Sequence, residues 1–261
     1  MSLSCAGREV LLKANAQSVP TYPMSCFKLS PICRKLTSAV SNYWWGSSLD
    51  NHKIHWLRWE KLTRSKCQGG IGFRDFTLFN QAMLGKQGWR LIMRPDSLCA
   101  KVLRGKYFPN GDFLSATKKK RSSKTWKSIL HGRVVLKRGL IKRVGAGETN
   151  IWRENWILGL RSLRPLVRLP TAGAEVVSGL FVPGTRVWDE EIVHKSFMSL
   201  EATEILKIKL GVNLESDVMA WAFEKNGFYS VRSTYRLLKD EQMGQAMAAT
   251  GEAWASGNDR A

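Results

Sequence analysis

Through residue 139, apolar side chains recur at intervals of three and four, and the runs are punctuated by proline or glycine. That period puts them on one face of a helix, so the chain buries them by packing helix against helix. In residues 7 to 18 (GREVLLKANAQS), Val10, Leu11, Ala14 and Gln17 share a face, and Pro20 stops the run. Ser30-Pro31 reads as a cap followed by proline at the first helical position. Ile32, Leu36, Val40 and Tyr43 or Trp44 then form a stripe that ends at Gly46. Trp56, Trp59 and Leu62 repeat at intervals of three on a short helix and are read as core, not as a base-stacking platform.

The segment "KCQGGIGFRDFTLFNQAMLGKQGWRL", residues 66 to 91, poses a sharper choice. Gly69, Gly70 and Gly72 permit a tight turn with positive φ, and Asp75 caps a helix carrying Phe79, Ala82, Met83 and Trp89. Neither G-x-G-x-x-G nor G-x-x-x-x-G-K-[ST] is present, so the segment is a turn and an amphipathic helix, not a phosphate cradle. Residues 97 to 108 make another helix, with Leu98, Val102 and the Leu103 to Tyr107 pair on its apolar side and Pro109 as its stop. The basic run "KKKRSSKTWK", 118 to 127, follows. Ser122 or Ser123 caps a helix bearing Trp126, Ile129, Leu130 and Val134, which Gly139 ends; Trp126 is read as core.

After Leu140 the pattern changes. "IKRVGAGETNIWRENWI" alternates on either side of Gly-Ala-Gly as a β-hairpin does, and residues 159 to 187, rich in Gly and Pro, read as a linker or irregular crossing. "DEEIVHKSFMSLEATEILKIKL" holds two short helical patterns. "DVMAWAFEKNGFYSVRSTYRLL" begins as a strand, turns at Asn226-Gly227, resumes with Phe228, Tyr229 and Val231, and passes into a helix at Ser233. The expected fold is mainly α with a few short β-hairpins, α+β overall. Its expected segments are a helical region 1–110, a basic helix with hairpin 111–168, a linker and small module 169–240, and a disordered tail 241–261.

Charge points to a partner. Residues 1 to 168 hold 32 Lys+Arg against 8 Asp+Glu, or +24; the remainder is −4, which sums to the +20 of the whole chain. Such an excess attracts a polyanion by neutralising phosphates and releasing counterions, so RNA or DNA leads. The candidate phosphate contacts are Lys118, Lys119, Lys120, Arg121, Lys124, Lys127, Arg133, Lys137, Arg138, Lys142 and Arg143. With 44% hydrophobic residues, 11 Trp and 10 Phe, the chain is too apolar to be wholly disordered. No run of about 18 apolar residues exists to span a membrane, and Arg8 and Glu9 stand where a signal peptide needs its apolar stretch. The cysteines Cys5, Cys26, Cys33, Cys67 and Cys99 form no C-x-x-C. His52 and His55 lack further ligands nearby, so no metal or cofactor is expected. Nuclear and cytoplasmic locations are equally compatible with the composition.

The phrases "LSCAGREVLLKANAQSVPTYPMSCFKLS", "YWWG", "IHWLRWEKL", "GGIGFRDFTLFNQAMLGKQGWRL", "KYFP", "TWKSIL", "VGAGETNIWRENWILG" and "DVMAWAFEKNGFYSVRSTYRLL" follow one another to about residue 240. In this order they resemble plant LINE-type (non-LTR) retrotransposon reverse transcriptases. The resemblance implies the region after the polymerase palm: a helical thumb-like part, a connection, and the start of the reverse transcriptase zinc-binding domain. The Tyr/Phe-x-Asp-Asp carboxylates that the family uses to hold two Mg²⁺ are absent. The adjacent acids are Asp189-Glu190-Glu191 and Asp240-Glu241. The family's zinc ligands and ribonuclease H domain fall beyond "GEAWASGNDRA". The implied protein is a truncated reverse transcriptase-like chain, not an enzyme, that grips template-primer without sequence preference. A separately made palm fragment is a further implied partner. The alternative is a retroelement remnant or protein-interaction fragment with no nucleic-acid role, whose Trp44, Trp56 and Trp59 stripes stand exposed.

Overall fold

The computed structural model describes residues 3–46, 54–211 and 216–257, with side chains described to residue 245. The chain divides into two compact units: residues up to Leu136 together with those from Ser230 onward, and Lys137–Tyr229.

In the first unit Ser4 caps α1 (Cys5–Leu11) by accepting from the Gly7 amide, and the helix widens into a π turn over Leu12–Ala16 before Pro20. α2 (Thr21–Cys26) leads to α3 (Ser30–Trp45), which has Pro31 in its first turn and ends at Gly46. Ser30 lies inside α3, not at its cap. Leu29 holds that position without a side-chain bond, and the buried Asn80 serves the corner instead. Asn80 Oδ1 accepts from Leu29 N at 2.9 Å, while its Nδ2 donates to the Met24 and Phe27 carbonyls at 2.7 and 2.8 Å. These bonds satisfy backbone groups that the end of α2 leaves open.

α4 (Trp59–Leu62) is a single turn. Leu62 is fully buried, and the Trp59 ring lies nearly parallel to Phe73 and Phe76. Trp56 precedes the helix in a bend and is 75% exposed, so it leaves the core stripe expected of it. His52 lies outside the described residues. α5 (Phe76–Met93) starts at Asp75, whose Oδ1 accepts from the Thr77 and Leu78 amides. α6 (Leu98–Tyr107) is capped by Ser97 and buries Ala100 and Tyr107. Leu98 and Val102, expected on its apolar side, are 80% and 58% exposed, because the buried face follows Ala100, Leu103 and Tyr107. α7 (Lys124–Gly139) crosses α5 closely: a Cβ on Gly132 would run into the backbone of Leu84 and Gly85.

In the second unit, β1 (Leu140–Arg143) follows α7. A short 3-10 turn (Val177–Leu180), α8 (Glu190–Ser196) and α9 (Ser199–Leu206) precede β2 (Val218–Trp221). β1 and β2 pair antiparallel with Leu140 opposite Trp221 and Arg143 opposite Val218. The hairpin expected around Gly-Ala-Gly therefore does not form. The amides of that loop go to Asp217 instead: Oδ1 accepts from Gly145 and Gly147 at 2.6 and 2.9 Å, and Oδ2 from Thr149 N at 2.6 Å and the Thr149 hydroxyl. Nor does a strand resume after Asn226-Gly227; the Trp221 amide closes on the Gly227 carbonyl at 2.8 Å and pairing ends. The stretch 159–187 is no passive linker, since Leu160, Val177, Leu180 and Phe181 join Trp156 and Trp188 in this unit's core.

α10 (Val231–Gly257) returns to the first unit. Its backbone is helical through most of the tail expected to be disordered, in keeping with the Ala, Met and Gln that fill residues 242–254. Tyr235 Oη accepts from the Asp75 amide at 2.9 Å, joining α10 to the start of α5. The fold is mainly α with one two-stranded antiparallel sheet, the class that the apolar spacing predicts.

Candidate nucleic-acid interface

The basic run is mounted on buried aromatic rings. Trp126, with no exposed surface, stacks on Tyr107 (ring centroids 4.6 Å apart, planes 3° apart) and on Phe108 (5.5 Å, 14°), with Phe113 edge-on at 6.0 Å. The Tyr107 hydroxyl donates to Ser123 Oγ at 3.0 Å and accepts from Ser123 N at 3.3 Å. Ser123 Oγ in turn accepts from the Trp126 amide at 3.1 Å, so the cap of α7 and the aromatic stack lock together. Ser122, also buried, accepts from Lys119 N and donates its own amide to Lys119 O, closing a tight turn.

That turn carries a dense positive charge. Lys118, Lys119, Lys120, Arg121 and Lys124 are all exposed, and none joins an ion pair with an acid among the described residues. The start of α7 adds the partial positive charge of a helix N-terminus. Adjacent like charges repel, so the fold holds this cluster against its own electrostatics.

The other candidates differ. Lys127 is half-buried. Arg133 is a structural clamp: its Nη1 donates to the Phe113 carbonyl at 2.9 Å and to the Ala116 carbonyl, with the guanidinium 5.9 Å above the Phe113 ring. Burial lowers the pKa of Arg133, against a smaller opposing effect of Asp112. In the second unit, Lys137 and Arg138 are exposed, Lys142 pairs with Glu154 at 2.9 Å, and Arg143 donates to the Lys225 carbonyl at 2.8 Å.

Lys28 is a cation that the sequence reading missed. Its amide donates to Ser128 Oγ at 2.8 Å, and its Nζ lies 3.4 Å from His131 Nδ1, so it stands against α7 from one hundred residues away. Burial, and then the charge of Lys28, hold the His131 imidazole below its ordinary pKa. No local pattern announces such a contact.

Two members of the adjacent acids have structural duties. Asp189 caps α8, and Glu191 pairs with Lys195. Among the described residues, no group of three or more His, Cys, Asp or Glu is placed to hold a metal ion, and no helix is long and apolar enough to cross a membrane.

No protein-family model matches the chain, and no solved structure does. An uncharacterized mitochondrial protein of Arabidopsis thaliana, AtMg00310, is 45% identical over 152 residues, which make up 57% of this chain and 99% of that protein. A putative ribonuclease H protein of the same plant, At1g65750, is 32% identical over 254 residues, or 93% of this chain. The chain spans 40% of that second protein's length. Both relatives are plant proteins, in agreement with the plant origin that the resemblance implies.

Proposed function

This chain belongs to the family of the Arabidopsis mitochondrial protein AtMg00310, and we propose that it is a retrotransposon-derived protein that binds nucleic acid without sequence preference. Its origin is the region after the palm of a plant LINE-type reverse transcriptase, up to the start of the zinc-binding domain. The relative named as a putative ribonuclease H protein supports that origin, because the resemblance places such a domain downstream of this region.

One observation carries the binding role: five exposed cations, Lys118 to Arg121 on the turn and Lys124 at the start of α7, are held by the buried Tyr107–Trp126 stack and have no acid paired with them among the described residues. Lysine ammonium groups are point charges that contact phosphate without reading bases, so the binding follows backbone charge. Asp75 and Asp189 cap helices, Asp217 holds loop amides, and Glu154 and Glu191 pair with lysines, and these structural roles support binding without catalysis. The test is fluorescence anisotropy with labelled single-stranded RNA, duplex DNA and an RNA–DNA hybrid. All three bind the natural protein, and the combined variant Lys118→Ala, Lys119→Ala, Lys120→Ala, Arg121→Ala weakens all three alike. Undiminished binding by that variant overturns the role.

A second reading, a remnant without nucleic-acid function, draws on exposed apolar side chains such as Ile54 (71%) and Trp56 (75%). It predicts association into large particles. A monodisperse monomer in light scattering counts against it.

A further inference from the structure

A cavity of about 430 Å³ opens on the second unit, lined by Ile141, Arg143, Leu158, Trp221, Phe223 and Lys225 among others. Its volume lies in the range of small-ligand sites. Its walls combine an aromatic ring with two cationic side chains. Phe223 is 40% exposed, yet it is fixed from behind: Trp221, 1% exposed, meets it edge-to-face at 5.4 Å, and a Cβ on Gly139 would strike its ring. An aromatic held on one side and open on the other is a stacking surface.

The rim is equally fixed. The Ala222 amide donates to the Gly139 carbonyl at 2.8 Å, and the Gly227 amide to the Glu224 carbonyl at 2.9 Å. Arg143 spans the turn to the Lys225 carbonyl with one of its nitrogens, leaving the rest of its donor fork free of that bond. Gly227 makes this fit possible: its φ is 75°, and a Cβ there would come within 3.0 Å of the Arg143 guanidinium carbon. Glu224 is the single acid on the lining, so two cations outweigh one anion.

We propose that this cavity stacks one unpaired base of a single-stranded nucleic acid on Phe223, with the flanking phosphate at Arg143 and Lys225. The proposal rests on the nucleic-acid reading above and extends it from charge alone to the base. Stacking on an aromatic ring is tolerant of base identity, which matches binding without sequence preference.

The test is saturation-transfer NMR on the full chain with adenosine monophosphate and, in parallel, ribose 5-phosphate. Base protons of the nucleotide are expected to take up the most saturation, and ribose 5-phosphate to give little. Phe223→Ala weakens nucleotide binding roughly 5- to 150-fold, the range for losing one base–aromatic stack. Phe223→Trp keeps it, which separates stacking from loss of fold. No saturation in the natural protein, or equal saturation in Phe223→Ala, overturns the proposal; so does ribose 5-phosphate matching the nucleotide, which leaves a phosphate site only. The basic-turn variant keeps the nucleotide signal, so a failure at Phe223 and a failure of the polyanion reading are told apart.

Discussion

Replacing Asp217 with alanine removes the carboxylate that organises the start of the second unit. Three backbone amides and one hydroxyl converge on it, from Gly145, Gly147 and Thr149. Gly147 and Thr149 are buried, so their amides have no water to turn to, whereas Gly145 is partly exposed. An unsatisfied buried donor costs about 1–3 kcal/mol. Two of them, discounted for relaxation of the loop, amount to about 3 kcal/mol, or roughly 150-fold in the equilibrium for local opening. The assay is amide hydrogen exchange read by mass spectrometry over residues 144–151 and 217–222. Asp217→Asn is expected to lose about half as much, since one oxygen remains while the amide nitrogen faces donors. Acid provides a second handle. Burial pushes the Asp217 pKa up, but the bonds from Thr149, Gly147 and Gly145 outweigh it and bring the value below the ordinary 3.8. A depressed carboxylate stabilises the fold above its unfolded value, and that contribution is lost as pH falls through the folded one. Protection of the natural loop therefore declines below about pH 4, and that of Asp217→Ala shows no such step. Exchange in Asp217→Ala within twofold of the natural protein refutes the reasoning.

Arg133→Ala strips the donor from the Phe113 and Ala116 carbonyls and is expected to cost about 1–3 kcal/mol, measured as a lowered urea midpoint. Gly132→Ala drives a methyl into the α5 backbone and costs about 3 kcal/mol, seen as lost near-ultraviolet circular dichroism; an unchanged spectrum counts against the close crossing of α5 and α7. Native alkylation at pH 8 labels the exposed Cys5, Cys67 and Cys99 but spares Cys33. Burial, and then the charge of Asp75, push the Cys33 thiol up to about 11. Peptide mapping that finds Cys33 labelled as fast as Cys99 contradicts the packing of α3 on α5.

What could be read in the sequence was local. Asp75 and Ser123 cap the helices they precede, Pro31 opens α3 and Gly139 closes α7, because each of these signals acts within one turn of chain. The buried place of Trp126 also followed from its helical face. The sheet did not follow. Leu140 and Trp221 are distant in sequence, and alternation around Gly-Ala-Gly fits a local hairpin as well as a remote partner. The cradle of Asp217 was hidden for the same reason: a capping acid and a nest-binding acid look alike until the loop they serve is known. Among the basic residues, charge was legible but employment was not. Arg133 reads like Lys124 in a string of letters, yet one grips two carbonyls and the other faces water. Lys28 joins the same helix through contacts with Ser128 and His131 that no periodicity encodes.

The central claim, that the turn at Lys118 to Arg121 is where the chain meets phosphate, is tested most directly by the salt dependence of duplex DNA binding. Each neutralised phosphate contributes about −0.9 to the slope of log affinity against log salt. The account predicts that replacing Lys118, Lys119, Lys120 and Arg121 with alanine flattens the slope by about 3.6, with the circular dichroism spectrum unchanged. An identical slope in the natural and substituted proteins contradicts it.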